Sequence, residues 1–241
     1  MKTLLRDARY GIRLLLRKPG VTLVAIVTLA LGIGANTAIF TVTHALLLKP
    51  LPYDHPEQLV LANENNLSRG WTSFSVSPPN FLDWRAQSRS YQYLAAYGGQ
   101  ALNYSGGGAP ERLRGLTGTE GFLEILNGTP VRGRGFTPEE FEPGKGFVVI
   151  LGHAFWQRAL GGRDDVLNTS ITLNGQPYTI VGIMRPDWRF GGGQNIAVFT
   201  PRSFSDSERQ SRGAHYLQVI GRLKPGVSVE QAGVELGAIA A

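Results

Sequence analysis

From Val21 to Leu48 the chain reads VTLVAIVTLALGIGANTAIFTVTHALLL, without a single Asp, Glu, Lys or Arg. A membrane's hydrocarbon core needs roughly 20 mostly apolar helical residues to cross it. This run is longer, spanning roughly 42 Å at about 1.5 Å per residue. The pattern predicts a transmembrane helix over residues 20–49 that projects beyond the core. A buried soluble helix rarely runs so far without a charge. A cleaved signal peptide is the other alternative, with Gly32-Ile33-Gly34 as a small-residue site. The apolar pattern continues past that site through Ala38-Ile39-Phe40, which favours an uncleaved span.

The preceding residues alternate differently. At 100° per residue Leu4, Leu5, Ala8, Ile12, Leu15 and Leu16 fall on one side. Lys2 and the four arginines Arg6, Arg9, Arg13 and Arg17 fall on the other. Residues 1–19 thus read as a basic amphipathic helix lying in the membrane interface, its cations toward anionic headgroups. Pro19-Gly20 breaks it before the span. A positive flank with no defined helix is the plainer reading, and the segregation of the two faces argues against it. Within the span Ala30, Gly34 and Ala38 recur every four residues, as in small-xxx-small helix contacts. Asn36 inside a bilayer wants a hydrogen-bond partner that a second helix can supply. Alanine and glycine are also common in spans, so these four are candidates for packing only.

Beyond residue 50 the pattern becomes that of a water-soluble domain. Lys49-Pro50-Leu51-Pro52 ends the helix. Gln58–Asn63 reads as a strand. A helix starts at Ser77-Pro78-Pro79-Asn80, capped by Ser77 or Asn80, with Phe81 and Trp84 on its apolar face. Tyr91–Tyr97, Ala101–Tyr104 and Arg112–Thr117 read as strands separated by glycines. Glu120–Leu126 reads as a short helix and Phe147–Leu151 as a buried strand. His153–Leu160 reads as a helix ended by Gly161-Gly162. Asn174-Gly175 between β-branched runs predicts a hairpin over Ser170–Met184. Ala197–Thr200 and His215–Leu223 are further strands. Lys224-Pro225-Gly226 is a turn, and Ser228 with Gln231 makes a capping box opening a helix from about Val229. This mixed order predicts an α+β fold rather than a regular doubly wound sheet. The stop at Ala241 inside a helix, with no cap, reads as a C-terminally truncated fragment of something longer.

Charge changes the picture once it is located. The chain carries a net +6 and a pI near 9.8. Lys2, Arg6, Arg9, Arg13, Arg17 and Lys18 against Asp7 account for nearly all of it, so the large domain is close to neutral. Basicity at the membrane flank orients the chain: the N-terminus is cytoplasmic and residues from about 50 onward lie outside, in the periplasm of a bacterial inner membrane. Nucleic acid is then an improbable partner.

Chemistry is sparse. With no cysteine there are no disulfides, thiolate metal sites or Cys nucleophile. Gly106-Gly107-Gly108 and Gly191-Gly192-Gly193 lack the Lys-Ser/Thr of a phosphate loop and read as loops. His44, His55, His153 and His215 are scattered without metal-ligand spacing. His153 and His215, at element starts, suit hydrogen-bonded structural roles. Glu139-Glu140 and Asp164-Asp165 are sequence neighbours that do not converge on one substrate atom; helix-start or loop solvation explains them better. There is no Gly-x-Ser-x-Gly elbow. The Asn-x-Ser/Thr triplets at Asn66, Asn103, Asn127 and Asn168 mean little without a eukaryotic secretory context. No catalytic, cofactor-binding or metal-binding set emerges, and no cofactor is expected.

Several blocks together resemble a known family. They are Leu5-Arg6-Asp7-Ala8-Arg9-Tyr10-Gly11-Ile12-Arg13 with Arg17-Lys18-Pro19-Gly20, the run Ala30 to Phe40, and Leu51-Pro52-Tyr53. Further on come Gly133-Arg134-Gly135-Phe136-Thr137-Pro138-Glu139-Glu140, the run Leu173 to Met184, and Arg222-Leu223-Lys224-Pro225-Gly226-Val227. The chain resembles the N-terminal half of a MacB/FtsX-type ABC transporter permease, of the acidobacterial-type orphan kind, with its MacB-like periplasmic core domain over residues 50–241. Leu126-Asn127-Gly128-Thr129 departs from a Leu-Gly-Val-like run usual in the family. The three later transmembrane helices of the family are not in this sequence, so the chain as given is not a complete permease.

The resemblance implies a division of labour. A cytoplasmic ABC ATPase subunit hydrolyses ATP, and a second permease copy completes a dimer. A periplasmic adaptor protein and membrane lipid are further partners; nucleic acid is not. The core domain is implied to be a mixed α/β porter-like subdomain with a β-rich, sabre-like insert at about 122–212. Motion passes from the ATPase through the first helix to this domain, for export or efflux in MacB-like pumps, partner regulation in FtsX-like members and lipoprotein extraction in lipoprotein-releasing ones. A single-pass anchored periplasmic binding or scaffold module is the alternative. A membrane-anchored hydrolase lacks a nucleophile–base pair.

Overall fold

The computed structural model describes residues 6, 10, 11, 13, 15–43, 53–106, 109–191 and 193–240. The chain divides into two units, residues 1–51 and 52–241. In the first, helix α1 runs Pro19–Thr43. Its start corrects the sequence reading. Pro19 does follow a break at Lys18, but it is the first helical residue, where its missing N–H is no loss and its fixed φ suits the turn. The Lys18 carbonyl accepts from Thr22 N–H at 3.1 Å, and the Thr22 hydroxyl donates to the Leu15 carbonyl at 2.7 Å. Thr28 and Thr41 likewise donate their hydroxyls one turn back, to Val24 and Thr37. Such back-bonding satisfies a polar group where water is absent. The predicted break at Lys49–Pro52 lies outside the described residues, as does most of the predicted helix Leu4–Leu16.

The second unit is α+β. Its strands are β1 Leu59–Ala62, β2 Glu64–Asn66, β3 Trp71–Phe74, β4 Tyr91–Ser105, β5 Glu111–Gly118, β6 Pro130–Gly133, β7 Val148–Leu151, β8 Ser170–Leu173, β9 Gln176–Met184, β10 Val198–Pro201 and β11 Gln218–Leu223. Its helices are α2 Pro78–Gln87, α3 Phe122–Ile125, α4 His153–Leu160, α5 Asp206–Gln210 and α6 Val229–Ala240. β2 and β3 form a separate hairpin. The main sheet runs β1-β11-β4-β5-β10-β7-β9-β6, with β8 pairing both β4 and β9.

That double pairing of β8 closes a circuit. β4 bonds β5, β5 bonds β10, β10 bonds β7, β7 bonds β9, β9 bonds β8, and β8 returns to β4 through Tyr104↔Leu173 and Ser105↔Thr172. Six strands thus make a ring with no free edge between them, the arrangement that removes exposed strand edges in barrels. Leu102, Leu113, Leu151, Leu173, Ile180 and Val198, one from each strand of the ring, are buried together with Phe155 and Trp156 of α4. The hairpin tip fastens the closure. Asn174 and Gly175 both take positive φ, 50° and 76°, as a two-residue primed turn requires. Asn174 then exchanges two hydrogen bonds with the Asn103 backbone, each 2.8 Å.

β4 is shared between two environments. The sequence breaks it at its glycines, but the strand runs unbroken through Gly98-Gly99, because the β5 ladder from Tyr97 to Tyr104 holds them extended. Its first half pairs β11, which pairs β1. Alternation puts Leu94 and Ala96 of β4 and Val219 and Leu223 of β11 against α2 and α6, with Phe81, Trp84, Ala232 and Leu236. Ala95 and Ile220 point to the opposite face, against Phe122, Leu123 and Ile125 of α3. Ser77, not Asn80, precedes α2 as its cap residue; its side chain makes no capping bond, and the prolines at the first two positions need no N–H acceptor. Ser228 and Gln231 do form the predicted capping box. The strand expected from His215 begins only at Gln218; before it Leu217 makes a single bridge to Val76.

Candidate functional site

Helix α1 carries the positions singled out in the span. Ala30, Gly34, Asn36 and Ala38 are all exposed on it, and none of the helix is buried within the described structure. Pro19–Thr41 is long and apolar enough to cross a membrane. Of the basic positions, Arg6, Arg13 and Arg17 are helical and exposed, while Arg9 and His44 lie outside the described residues.

In the second unit many polar side chains are engaged in structural hydrogen bonds and ion pairs. Glu64 accepts from Ser77 N–H at 2.7 Å with one oxygen and meets His215 Nδ1 at 3.2 Å with the other; the His215 ring lies edge-on to Phe74, 4.8 Å between centroids. The β2–β3 hairpin is thereby tied to α2, a link with no local signal in the sequence. His153 packs edge-on against Trp156 at 5.3 Å. Glu140 serves a capping box at Thr137 and receives two hydrogen bonds from Arg134, at 2.6 and 2.9 Å. Burial alone pushes its carboxyl upward, but Arg134 and the Thr137 N–H outweigh this and hold it below the usual range. Asp164 pairs with Arg132 and Asp165 with Arg163. Glu235 of α6 accepts from the N–H groups of Arg89 and Ser90 at 2.7 and 3.0 Å, and despite burial it too is held low. Carboxylates depressed in this way are weak bases. Among the described residues no group of His, Asp and Glu converges as a metal site.

Several open grooves of similar size indent this unit. A groove of about 440 Å³ lies between β1, α2 and α6, lined by Val60, Ala62, Asn80, Trp84, Tyr91 and Leu236 among others. Burial and then the Glu235 charge push the Tyr91 phenol up to about 12, so it stays neutral. The Trp84 indole N–H is buried without a partner. The exposed lining is more polar than apolar, with Asn63, Glu64, Asn65 and Asn80 among its residues, and it holds no nucleophile–base pair. Arg222, which the sequence reading named only within a resembling block and gave no role, is conspicuous in the structure: a buried cation inside the strand QVIGRL, where a single arginine in an apolar run was the available signal.

The family described as the MacB-like periplasmic core domain matches residues 22–239. The chain belongs to that family. Its members are parts of MacB/FtsX-type ABC transporter permeases, as the sequence blocks above imply. No curated protein matches the chain. Among solved structures, a domain assigned to a permease protein from Porphyromonas gingivalis aligns at a TM-score of 0.59 and 15% identity, over 78% of this chain and 82% of that one. The periplasmic region of MacB from Actinobacillus actinomycetemcomitans aligns at 0.56 and 12%, over 76% and 81%. The extracellular domain of the noncanonic ABC-type transporter YknZ from Gram-positive bacteria aligns at 0.53 and 13%, over 75% and 90%. At such identities the likeness is one of fold. A MacB-like core domain behind an apolar helix is what this chain comprises.

Proposed function

We propose that this chain is the anchor and extracytoplasmic core of an ABC transporter permease, carrying ATPase-driven motion outward for export or efflux. The observation that carries this reading is the continuous family match from Thr22 to Ile239, across both the apolar helix and the α+β unit. Residues 1–19 lie in the membrane interface with the N-terminus cytoplasmic, residues 20–49 cross, and residues from about 50 onward are extracytoplasmic. The part at about 122–212 acts as the sabre-like insert. Arg6, Arg9, Arg13 and Arg17 hold the interfacial helix to anionic lipid and receive force. Ala30, Gly34, Asn36 and Ala38 pack against a neighbouring helix of the permease dimer. A separate ATPase subunit hydrolyses ATP, and a periplasmic adaptor is a further partner. Arginine-paired carboxylates and the lack of a convergent donor set among the described residues suit transmission rather than chemistry.

The test is affinity capture of the tagged full chain from membranes of its own cell, with ATP and vanadate present. A phosphate-loop ATPase should co-purify in stoichiometric amount, and a G34C variant should form disulfide-linked dimers in the membrane. Capture of the chain with no ATPase would sink the transport reading. In that event the second reading stands: a single-pass anchored periplasmic binding or scaffold module without transport activity.

A further inference from the structure

The chain re-enters the described residues at Tyr53, ten residues after α1 ends at Thr43. It is held there before any strand begins. The Tyr53 hydroxyl donates to the Arg189 carbonyl at 3.0 Å and accepts from Gly191 N–H at 3.3 Å. Its ring packs against the cluster that surrounds α3. Arg222, only 6% exposed, reaches up from the interior of β11. Its Nη1 donates to the carbonyls of Asp54 at 2.7 Å and His55 at 3.4 Å; its Nη2 donates to the Ile125 carbonyl at 2.5 Å. All three acceptors are backbone carbonyls, the last of them at the C-terminal end of α3. His55 sits at φ 48°, a left-handed turn that directs the chain into Pro56–Gln58 and then β1.

We propose that Tyr53 and Arg222 form a latch that fastens the chain leaving α1 to the sheet, and that helix movement enters the extracytoplasmic domain through it. The proposal deepens the transmission reading and rests on it for its purpose. A buried guanidinium is costly, and an apolar side chain of similar volume would pack β11 at least as well. A planar fork bridging two separate backbone segments does what an apolar residue cannot, and a lysine ammonium lacks that span. The edge strand adds a mechanical reason: among the described residues β1 pairs with β11 alone, over four residues. Load applied to the chain at residue 58 without a latch would open that ladder one bond at a time from its end. The latch takes the load first, on β11, one strand in from the edge. Beyond the latch, Arg222 lies opposite Tyr93 of β4. β4 runs on from there into the six-stranded ring, so a displacement at residues 53–55 has a rigid path through β11 and β4 to the far end of the domain.

The absence of cysteine allows a clean measurement. The full chain is reconstituted in lipid nanodiscs and spin-labelled at D54C and Q218C, both exposed; D54C leaves the latched backbone carbonyl in place. Electron–electron dipolar distances are then recorded with Arg222 and Tyr53 intact, with R222M, with R222K and with Y53F. A second label pair, Q92C and Q218C, reports β4 against β11 alone. The intact chain should give one narrow 54–218 distance. R222M should broaden it by about twofold or more, as a locally released segment does, R222K should not restore it, and Y53F should broaden it partly. The 92–218 distance should stay narrow throughout. An unchanged 54–218 width in R222M overturns the latch. So does equal broadening of the 92–218 pair, which would make Arg222 a prop of the sheet; Y53F, which deletes only one hydroxyl, keeps the test open if R222M does not fold. Because no ATPase enters this measurement, a latch without a captured ATPase removes the transport reading alone, and a captured ATPase without a latch removes this proposal alone.

Discussion

Gly152 offers the sharpest test of how tightly the ring is closed. It lies between β7 and α4, and its N–H donates to the Ala197 carbonyl at 2.8 Å just ahead of β10. Its φ of −68° suits any residue, so space alone decides. A Cβ there would stand 1.9 Å from the Ile196 carbonyl oxygen and 3.3 Å from that of Ala197, against 3.4–4 Å for ordinary contact. Backbone must therefore move by about 1.5 Å, and the segment is held against it, because the Ala197 N–H donates to the Arg114 carbonyl at 2.9 Å and β10, bonded to β5 and β7, begins at the next residue. Overpacking typically costs about 1–3 kcal/mol, and losing the Gly152–Ala197 bond about 1 more. Restricting the unfolded chain returns about 0.4–1 kcal/mol. The net expectation for G152A is a loss of about 1–3.6 kcal/mol, or roughly 2–14 °C in Tm for a domain this size. The assay is thermal denaturation followed by circular dichroism in detergent micelles. G135A is the internal control, since nothing lies within 4 Å of its Cβ and its φ is ordinary. Equal melting of G152A and G135A would refute the claim that the ring is rigid at this seam.

Two further outcomes follow from the same geometry. L173A removes a fully buried side chain from the ring and should cost about 2–5 kcal/mol, with hydrogen exchange at residues 103–105 and 172–174 accelerating before that at β11; V131A, on a residue 58% exposed, should be within about 0.5 kcal/mol of the parent. Glu140 should make stability pH-dependent. Its carboxyl is lower in the folded chain than unfolded, so its contribution is present above the unfolded value of about 4.3 and is lost as pH falls through the folded value. Between pH 6 and pH 3 the parent should lose about 2–4 °C more in Tm than E140Q, for roughly 1 kcal/mol after discounting the half-exposed Arg134; equal losses would contradict the assigned role.

What could be read from the sequence, and what could not, divides along local and long-range lines. The Asn174-Gly175 hairpin, α4 with its Gly161 stop and the Ser228–Gln231 box were legible because each is written in neighbouring residues. Gly161 stands at φ 66°, where glycine is favoured, and the Gly162 N–H returns to the Trp156 carbonyl to finish the helix. The unbroken course of β4 was not legible, since glycines weaken a strand locally while a partner ladder elsewhere in the chain holds them. The short strands β2, β3 and β6 had too little alternation to show. Closure of the ring depends on Asn103 meeting Asn174 across 71 residues, and no local pattern encodes that. Within the candidate site the apolar span was plain from charge alone, whereas the partners of Arg222 are backbone carbonyls, which every residue possesses and no sequence reveals.

The topology fits the proposed transmission better than it fits ligand gating. A gate needs two bodies joined by a soft connection, and the two β environments here share strand β4 itself. Its residues Tyr91–Tyr97 pair β11, and Tyr97–Tyr104 pair β5, so Tyr97 belongs to both ladders. The Tyr97 ring stacks on Phe122 at 5.2 Å and meets Phe190 edge-on at 5.4 Å, filling the junction with aromatic contacts worth about 0.5–1.5 kcal/mol each beyond their buried area. A hinge at this point would have to break a β-ladder and separate three rings at once. Bending is therefore costlier at the junction than displacement of the whole unit, and under the proposed latch a push near Arg222 would reach the ring as movement of a rigid body.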